Sequence, residues 1–317
     1  MSGTENELHV VVGAGAIGSR VAAELAGRGH RVRVVTRSGS GPEHALIERV
    51  ATDAADADRL TRLCSGAAAV YNCANPPYHR WYADWPPIAD ALLQAAERSG
   101  AVLVITGNLY GYGPVDGPMT EQTPVAATGT KGRVRARMWA DALAAHQAGR
   151  LRATEVRGSD YLGARSQSQL GDRVVPRLLA GKAVTVLGEP DVVHTWTFTG
   201  DMARMLVTAG ADERAWGRAW HCPSHEPRTI RDVVGQLCAL AGVDPVPVRR
   251  LSPLLIRATA PFMPFLRELP EVMHQHTRPW VMDSSAAQRT FGLEPTGWPQ
   301  LLLAHLDGYR PARATAA

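Results

Sequence analysis

Residues 8–37 read LHVVVGAGAIGSRVAAELAGRGHRVRVVTR, and this stretch decides the fold. Leu8, Val10, Val11 and Val12 are apolar and mostly β-branched, which predicts a buried parallel strand. The GAGAIG turn of residues 13–18 follows at once, and residues 19–29 then carry apolar side chains at helical spacing. A second apolar run at residues 31–36 completes a strand–turn–helix–strand unit of about thirty residues. A GxGxxG turn in this setting predicts that the chain binds a dinucleotide.

The glycines of this turn have separate predicted roles. Gly13 permits the tight turn, Gly15 lets the backbone approach a pyrophosphate, and Gly18 lets the helix pack closely on the strand. Ala16 and Ile17 lie where free N–H groups and the positive end of the helix dipole face the phosphates. We therefore predict that these five residues contact the cofactor; the alternative is a tight turn with a structural role alone.

Apolar strands and helices alternate through the rest of the first half of the chain. Strands are predicted at 47–52, 67–74, 101–106 and 153–157, and helices at 55–64, 86–100 and 131–149. This alternation predicts an α/β fold, a Rossmann-type doubly wound parallel sheet. We expect residues 1–162 to form mainly the dinucleotide-binding domain and residues 163–317 mainly a smaller substrate-binding lobe. Segments around 190–210 are expected to return to the first domain.

Composition argues against several classes of protein. The 317 residues are 45% hydrophobic and 20% charged, which suits a soluble globular protein, and the net charge of +4 comes without a long basic tract. Apolar stretches are broken well short of the roughly twenty residues that a membrane span needs. The polar N-terminus carries no secretory signal. We expect a cytoplasmic protein that binds a small-molecule substrate and neither nucleic acid nor a membrane.

The cysteine and histidine patterns predict no metal site. The four cysteines show no CxxC or other metal-like spacing, so they are predicted to be free thiols. His274 and His276 form a pair, but no cysteine or carboxylate pattern surrounds them in the sequence.

The end of the second strand favours NADP(H) over NAD(H). A carboxylate at this point binds the adenosine ribose hydroxyls and repels a 2′-phosphate. This chain has Thr36, Arg37 and Ser38 there instead, and a guanidinium with two hydroxyls suits a phosphate. The alternative is that Arg37 is a solvated strand end.

Later segments match, in order, the motifs of one enzyme family. Leu109-Tyr110-Gly111 resembles the family's "VYG" motif, and residues 157–163 (RGSDYLG) resemble its "RPSNVYG" motif. Residues 193–203 (VHTWTFTGDMA) resemble its "FVHVDDVA" motif. With the opening unit and Lys131, they give the chain a resemblance, over nearly its whole length, to the extended short-chain dehydrogenase/reductases, the NAD-dependent epimerase/dehydratase group. Two features depart from that family. The glycine turn is GxGxxG where the family has GxxGxxG, and Ala127 stands where its YxxxK motif has the catalytic tyrosine.

The resemblance implies roles for residues at the strand ends. Asp53, after the third strand, would contact the adenine, with the capping of a turn as the alternative. Cys73, Ala74 and Asn75, at the end of the predicted fourth strand, would pass beneath the nicotinamide ribose. Lys131 would bind that ribose; the alternative is an exposed lysine at a helix start.

The chemistry needs a group that holds the substrate oxygen and a proton donor. Thr106 is predicted for the first role, with Asn108 as the alternative. Tyr110, Tyr112 and Tyr161 are candidates for the donor, and Tyr161 is preferred because it follows the sixth strand. His194 is either a further acid or base, or a buried structural histidine.

Two other groups have open interpretations. The aromatic residues of the 76–87 loop either line an apolar pocket or pack under the next helix. The charges at 131, 133, 135 and 137 are predicted to be solvated, because their spacing spreads them around a helix.

The combined prediction is an NADP(H)-dependent oxidoreductase that acts on a small or medium carbonyl, enone or sugar-like metabolite. One alternative is an epimerase or dehydratase that returns the hydride without net redox change. The other is a non-catalytic NADP-binding sensor or regulatory protein. The family resemblance further implies a homodimer.

Overall fold

The computed structural model of the chain describes residues 6–166, 168–252 and 264–310. Its strands are β1 (Leu8–Val12), β2 (Arg31–Thr36), β3 (Ile47–Ala51), β4 (Ala67–Asn72), β5 (Val102–Asn108), β6 (Arg152–Gly158), β7 (Asp160–Leu162), β8 (Val184–Val186), β9 (Val193–His194), β10 (Trp196–Phe198), β11 (Ala219–His221), β12 (Arg228–Thr229) and β13 (Val248–Arg250). Its α-helices are α1 (Gly18–Gly27), α2 (Ala57–Cys64), α3 (Trp81–Ser99), α4 (Thr130–Gln147), α5 (Val175–Leu179), α6 (Thr199–Ala211), α7 (Ile230–Ala241), α8 (Pro264–Val272), α9 (His274–Thr277), α10 (Ser285–Phe291) and α11 (Trp298–Asp307). Short 3-10 helices cover Tyr78–Arg80, Leu109–Tyr112 and Glu213–Ala215.

The main sheet has seven strands in the order β11-β6-β5-β4-β1-β2-β3, and every neighbouring pair is parallel. Side chains alternate between its two faces. Val11 and Val34 pack with α1 and α6 on one face, whereas Val10 and Val70 pack with α2 and α3 on the other. Helices therefore cover both faces, and the predicted Rossmann-type doubly wound sheet is confirmed.

The C-terminal part of the chain has a core of its own. Strands β8 and β10 and helices α5, α7 and α11 enclose its buried residues. Thr229 begins α7 with a capping box, since its hydroxyl accepts from the Asp232 N–H while the Asp232 carboxylate accepts from the Thr229 N–H. Two later segments join the first unit: α6 packs on the sheet beside α1, and β11 pairs with β6. The division at residue 162 stays a prediction.

Helix α3 begins five residues earlier than the sequence predicts. The prediction placed its start at Pro86, because a proline suits the first turn of a helix. The helix instead runs from Trp81 and carries Pro86 and Pro87 inside it. The indoles of Trp81 and Trp85 are buried in the added turn. Burial of large apolar side chains, worth several kcal/mol at about 25 cal/mol per Å², offsets the hydrogen bonds that the prolines remove.

No helix in the described ranges is both long enough and apolar enough to cross a bilayer.

The glycine turn lies against the end of β4. Gly13 has a φ of +98°, and a Cβ on it would lie 2.5 Å from the carbonyl oxygen of Cys73. A Cβ on Gly18 would lie well inside van der Waals contact with the carbonyl oxygen of Gly13. Both positions therefore need glycine, the first for its backbone conformation and the second for the close packing of α1.

Gly18→Ala is expected to lower the free energy of unfolding by about 3 kcal/mol, because backbone atoms at this contact must move. Gly27→Ala is the matched control in the same helix, since a Cβ there meets no atom within 4 Å. That control should be neutral or stabilising by up to about 1 kcal/mol. Urea unfolding of both variants checks this, and equal stabilities would contradict the assigned contact.

Candidate functional site

The carboxyl end of β1 presents an open turn of backbone. A Cβ on Gly15 would have no neighbouring atom within 4 Å, in contrast to the crowded Gly13 and Gly18. Helix α1 starts directly behind this turn, and no side chain caps its N-terminus. An uncapped helix start beside open backbone is suited to an anion, because N–H groups and the helix dipole are available there. The geometry matches the predicted place of a pyrophosphate at residues 13 and 15–18.

The three residues predicted at the end of β2 differ in their contacts. The Thr36 hydroxyl donates to the Ser40 carbonyl at 2.9 Å, and the Ser38 hydroxyl lies 2.9 Å from that of Ser40, so both serve the local turn. Arg37 is exposed. The nearby Asp84 has its pKa lowered chiefly by hydrogen bonds from Arg80, with a smaller contribution from Arg37. Arg80 is thus paired with a carboxylate in this structure.

Asp53 takes the geometry of a turn cap. It is exposed after β3, and its Oδ1 accepts the N–H of Ala55 at 3.0 Å. This is the alternative that the sequence left open, and a contact with adenine stays a prediction.

The loop that follows β4 contacts β5 through the sulfur atom of Cys73. β4 stops at Asn72, so Cys73, Ala74 and Asn75 follow it as a loop, and Cys73 lies against Gly13. The Thr106 hydroxyl donates to the Cys73 sulfur at 3.5 Å. Burial raises the pKa of the Cys73 thiol to about 12, so the thiol is uncharged at neutral pH. The prediction that β5 ends at Thr106 is wrong: the strand continues for two residues, to Asn108, and Thr106 points towards β4.

Lys131 is buried beneath α8. Its ammonium group pairs with Glu268 and lies 4.6 Å from the ring centroid of Tyr78, and Glu271 accepts its backbone N–H. The alternative of an exposed helix-start lysine is therefore wrong. Contact with a ribose stays a prediction, and any ribose hydroxyl must compete with the carboxylate of Glu268.

Ala127 lies outside the helix that carries Lys131. α4 begins at Thr130 with Gly129 as its N-cap, and the Ala127 N–H donates to the Gly111 carbonyl at 3.1 Å. Position 127 is therefore held by backbone contacts with the loop after β5, at the same end of the sheet as Lys131.

Arg135 is a site residue that the sequence analysis missed. The prediction of a solvated charge is wrong for Lys131 and Arg135, which are buried, whereas Arg133 and Arg137 are exposed. The Arg135 guanidinium lies 4.6 Å from the ring centroid of Trp81 and 4.5 Å from that of Trp85. One of its nitrogens donates to the Thr106 carbonyl at 3.1 Å. The signal was the i, i+4 spacing of two cations beside an aromatic-rich loop.

The aromatic loop at 76–87 mainly packs. Trp81 and Trp85 are buried against α4, which fits the packing alternative, whereas Tyr82 is exposed.

The candidate proton donors differ in their surroundings. The Tyr161 hydroxyl donates to the Gly107 carbonyl at 3.2 Å, and burial raises its pKa while the charge of Arg135 opposes that rise. Burial also raises the pKa of Tyr110 to about 12, although a hydrogen bond from Tyr78 lowers it. The charge of Arg135 lowers the pKa of both phenols, but burial outweighs it, so both pKa values stay above the ordinary value of about 10. Tyr112 belongs to a separate buried network.

The fold has clear relatives. A family model described as the NAD dependent epimerase/dehydratase family matches residues 9–220, which is more than half of the chain. The chain belongs to this family of enzymes. Among curated proteins, no sequence matches the chain.

Solved structures of family enzymes superpose over nearly the whole chain. An epimerase of Methanothermobacter thermautotrophicus is 18% identical with a TM-score of 0.79, covering 96% of this chain and 92% of that one. A UDP-glucose 4-epimerase of Thermotoga maritima, solved with UDP-glucose, is 18% identical with a TM-score of 0.78, covering 96% and 98%. The dTDP-glucose 4,6-dehydratase DesIV of Streptomyces venezuelae, solved with NAD, is 21% identical with a TM-score of 0.76, covering 96% and 98%. At these identities the likeness shows the fold.

A buried polar network borders the candidate site of this epimerase/dehydratase-family chain. The Tyr112 hydroxyl lies 2.7 Å from Nε2 of His221 and accepts from Arg157 at 2.8 Å. Arg157 also pairs with Glu155 at 2.7 Å. The sequence analysis missed His221, because the short strand β11 that carries it is recognisable only through its pairing with β6.

His221 gives the stability of the protein a defined dependence on pH. Burial lowers its pKa to about 4, whereas an unfolded histidine has a pKa of about 6.5. Between these values the unfolded state binds more protons, so stability rises with pH across this window and falls as pH drops towards 4. The contribution of His221 should decrease by about 2 kcal/mol between pH 7 and pH 5.

His221→Gln removes this titration, and its unfolding free energy should fall by about 2 kcal/mol less than that of the wild type over the same interval. His79→Gln, at an exposed histidine, is the control and should follow the wild type. Urea unfolding at both pH values measures the difference. A His221→Gln protein that loses as much stability as the wild type would show that His221 does not titrate in this window.

Proposed function

We propose that this chain is an NADP(H)-dependent oxidoreductase of the epimerase/dehydratase family that acts on a small or medium carbonyl, enone or sugar-like metabolite. The observation that carries the proposal is the exposed Arg37 guanidinium at the end of β2, beside the open glycine turn and with Thr36 and Ser38 on either side of it. A guanidinium suits a 2′-phosphate, which distinguishes NADP(H) from NAD(H).

The residues present fit a dinucleotide. Gly13 and residues 15–18 would hold the pyrophosphate, and Arg37 the phosphate on the adenosine ribose. Cys73, Ala74 and Asn75 would lie beneath the nicotinamide ribose, with Asp53 towards the adenine. When bound, the nicotinamide supplies a hydride acceptor or donor.

The side chains of this protein then position the substrate and move the proton. The Tyr161 hydroxyl contacts the Gly107 carbonyl, next to the Thr106 carbonyl that accepts from Arg135, and the Thr106 hydroxyl contacts Cys73. We assign Tyr161 as the proton donor, with Arg135 as the positioning cation that stabilises its charged form. The Thr106 hydroxyl would turn from Cys73 to a substrate oxygen.

Lys131 has to change partners in this proposal. Its predicted ribose contact requires the ammonium group to leave Glu268. The Glu268 carboxylate of α8 would therefore compete with the cofactor ribose for Lys131.

A cycle without net redox change is the second candidate function. It is favoured by relatives whose names are epimerase and dehydratase, whereas Ala127, in place of the family tyrosine, favours the non-catalytic alternative. Cofactor that stays bound through purification and shows no net turnover would support it. A non-catalytic NADP-binding protein would bind NADPH and show neither turnover nor isomerised product.

Three further expectations belong to the proposal. They are a small-molecule substrate, a cytoplasmic location and a homodimer, the last supported by the family resemblance.

Arg37→Ala should raise the dissociation constant for NADPH about tenfold or more and that for NADH less than about twofold, because only NADPH carries the 2′-phosphate. Fluorescence titration of cofactor-stripped protein with each nucleotide measures both constants. Arg59→Ala, at an exposed arginine of α2, is the control. Equal losses for the two nucleotides, or tighter binding of NADH by the wild type, would contradict the NADP(H) assignment.

Glu268→Gln should strengthen NADPH binding about threefold, because it releases the Lys131 ammonium for the ribose. The same titration measures the change. Glu271→Gln is the matched control, because Glu271 accepts the backbone N–H of Lys131, whereas Glu268 pairs with its ammonium group. An unchanged or weaker affinity in Glu268→Gln would show that Lys131 takes no part in cofactor binding.

A further inference from the structure

Three metal-ligating side chains meet beside the candidate site. Asp160 begins β7, His194 ends β9 and His276 lies in α9, and one potential ligand atom of each lies within 4.8 Å of the other two. His194 is fully buried, His276 is 7% exposed, and the Asp160 side chain is 14% exposed. Asp160 directly precedes Tyr161, the preferred candidate proton donor, in β7.

The three side chains are already held in position. Nδ1 of His194 lies 3.0 Å from Oδ2 of Asp160, and Gln275 donates to the other carboxylate oxygen at 2.7 Å. The rings of His194 and His276 are stacked, with an interplanar angle of 27° and centroids 6.1 Å apart. Neighbouring side chains that orient the ligands are a regular feature of metal sites in proteins.

Buried polar atoms without partners surround the same point. Within the described part of the chain, Nε2 of His194 and the side-chain oxygens of Gln169 and Gln275 have no hydrogen-bond partner. Each such atom costs about 1–3 kcal/mol when it is left unsatisfied. Gln275 contacts Asp160, and Gln169 lies 3.4 Å from Nδ1 of His276, so all three atoms belong to residues of this group or to their direct neighbours. Their concentration in one place indicates a missing polar group.

We propose that Asp160, His194 and His276 form a binding site for a divalent transition metal of the zinc class. Two imidazoles and one carboxylate are a ligand set that zinc binds in proteins, whereas magnesium and calcium prefer oxygen ligands alone. Bonds of about 2.1 Å in a tetrahedron separate ligand atoms by about 3.4 Å. Nδ1 of His194 and Oδ2 of Asp160 lie 3.0 Å apart, close to this edge, and one ligand atom of each of the three side chains lies within 4.8 Å of the other two.

The described residues contain a second group of three potential ligands. Glu7, His9 and His30 lie at the opposite, amino-terminal edge of the sheet. Glu7 is exposed, whereas all three ligands of the proposed site are at least largely buried. The experiment therefore has to distinguish zinc binding at this second group from zinc binding at the proposed site.

The test is isothermal titration of the chelator-treated full-length chain with ZnCl2 and, separately, with MgCl2. The wild type should bind about one equivalent of zinc and no comparable amount of magnesium. His276→Ala and Asp160→Asn should each weaken zinc binding at least about 100-fold. His274→Ala is the matched control in the same short helix, because its ring packs on Trp280 outside the group, and it should bind as the wild type does.

Three outcomes would overturn the proposal. They are the absence of stoichiometric zinc binding by the wild type, an equal loss in His274→Ala, and a loss in His30→Ala that His276→Ala does not show. Circular dichroism of each variant checks its fold. If His276→Ala does not fold, His276→Asn replaces it, and zinc must raise the melting temperature of the wild type and of His274→Ala but not of this variant.

Discussion

The contact between the glycine turn and the end of β4 is the constraint on which the candidate site depends. Gly13 approaches Cys73 so closely that a side chain at residue 13 would collide with the backbone of the loop that follows β4. The Cys73 sulfur accepts the Thr106 hydroxyl, and the Thr106 carbonyl accepts Arg135. Cofactor turn, strand ends and helix α4 are therefore connected by consecutive contacts. A shift of the turn would move the polar groups where the substrate is expected.

The face of α4 that lies over the strand ends holds two buried cations, and each is compensated differently. Lys131 has the carboxylate of Glu268 and the ring of Tyr78. Arg135 has a backbone carbonyl and two indole faces, which stabilise a weakly hydrated guanidinium without a buried carboxylate partner. Because the second arrangement adds no acid, the positive charge of Arg135 remains available to the neighbouring phenols.

The parts of the molecule that sequence reasoning could reach are those that local pattern determines. The β1–α1–β2 unit is recognisable because apolar period, glycine spacing and length all agree, and β1 and β2 have the predicted bounds. The start of α3 is missed, because the burial of Trp81 outweighs the local signal of Pro86. Arg135 is missed because charged residues are expected at the surface unless a fold brings partners to them. Asp160 and His276 are separated by more than a hundred residues, so no spacing rule could join them.

The position of β11 has a consequence for how the chain folds. This strand completes the main sheet beside β6, yet the chain first passes through β7 to β10 and α6 before reaching it. During synthesis β6 is therefore an open sheet edge until residue 221 has left the ribosome, and open edges favour aggregation. The two units of the molecule cannot fold one after the other during synthesis. The first unit is completed by β11, and β11 follows part of the second unit in the chain. Such non-local pairing predicts slow folding for a chain of this size.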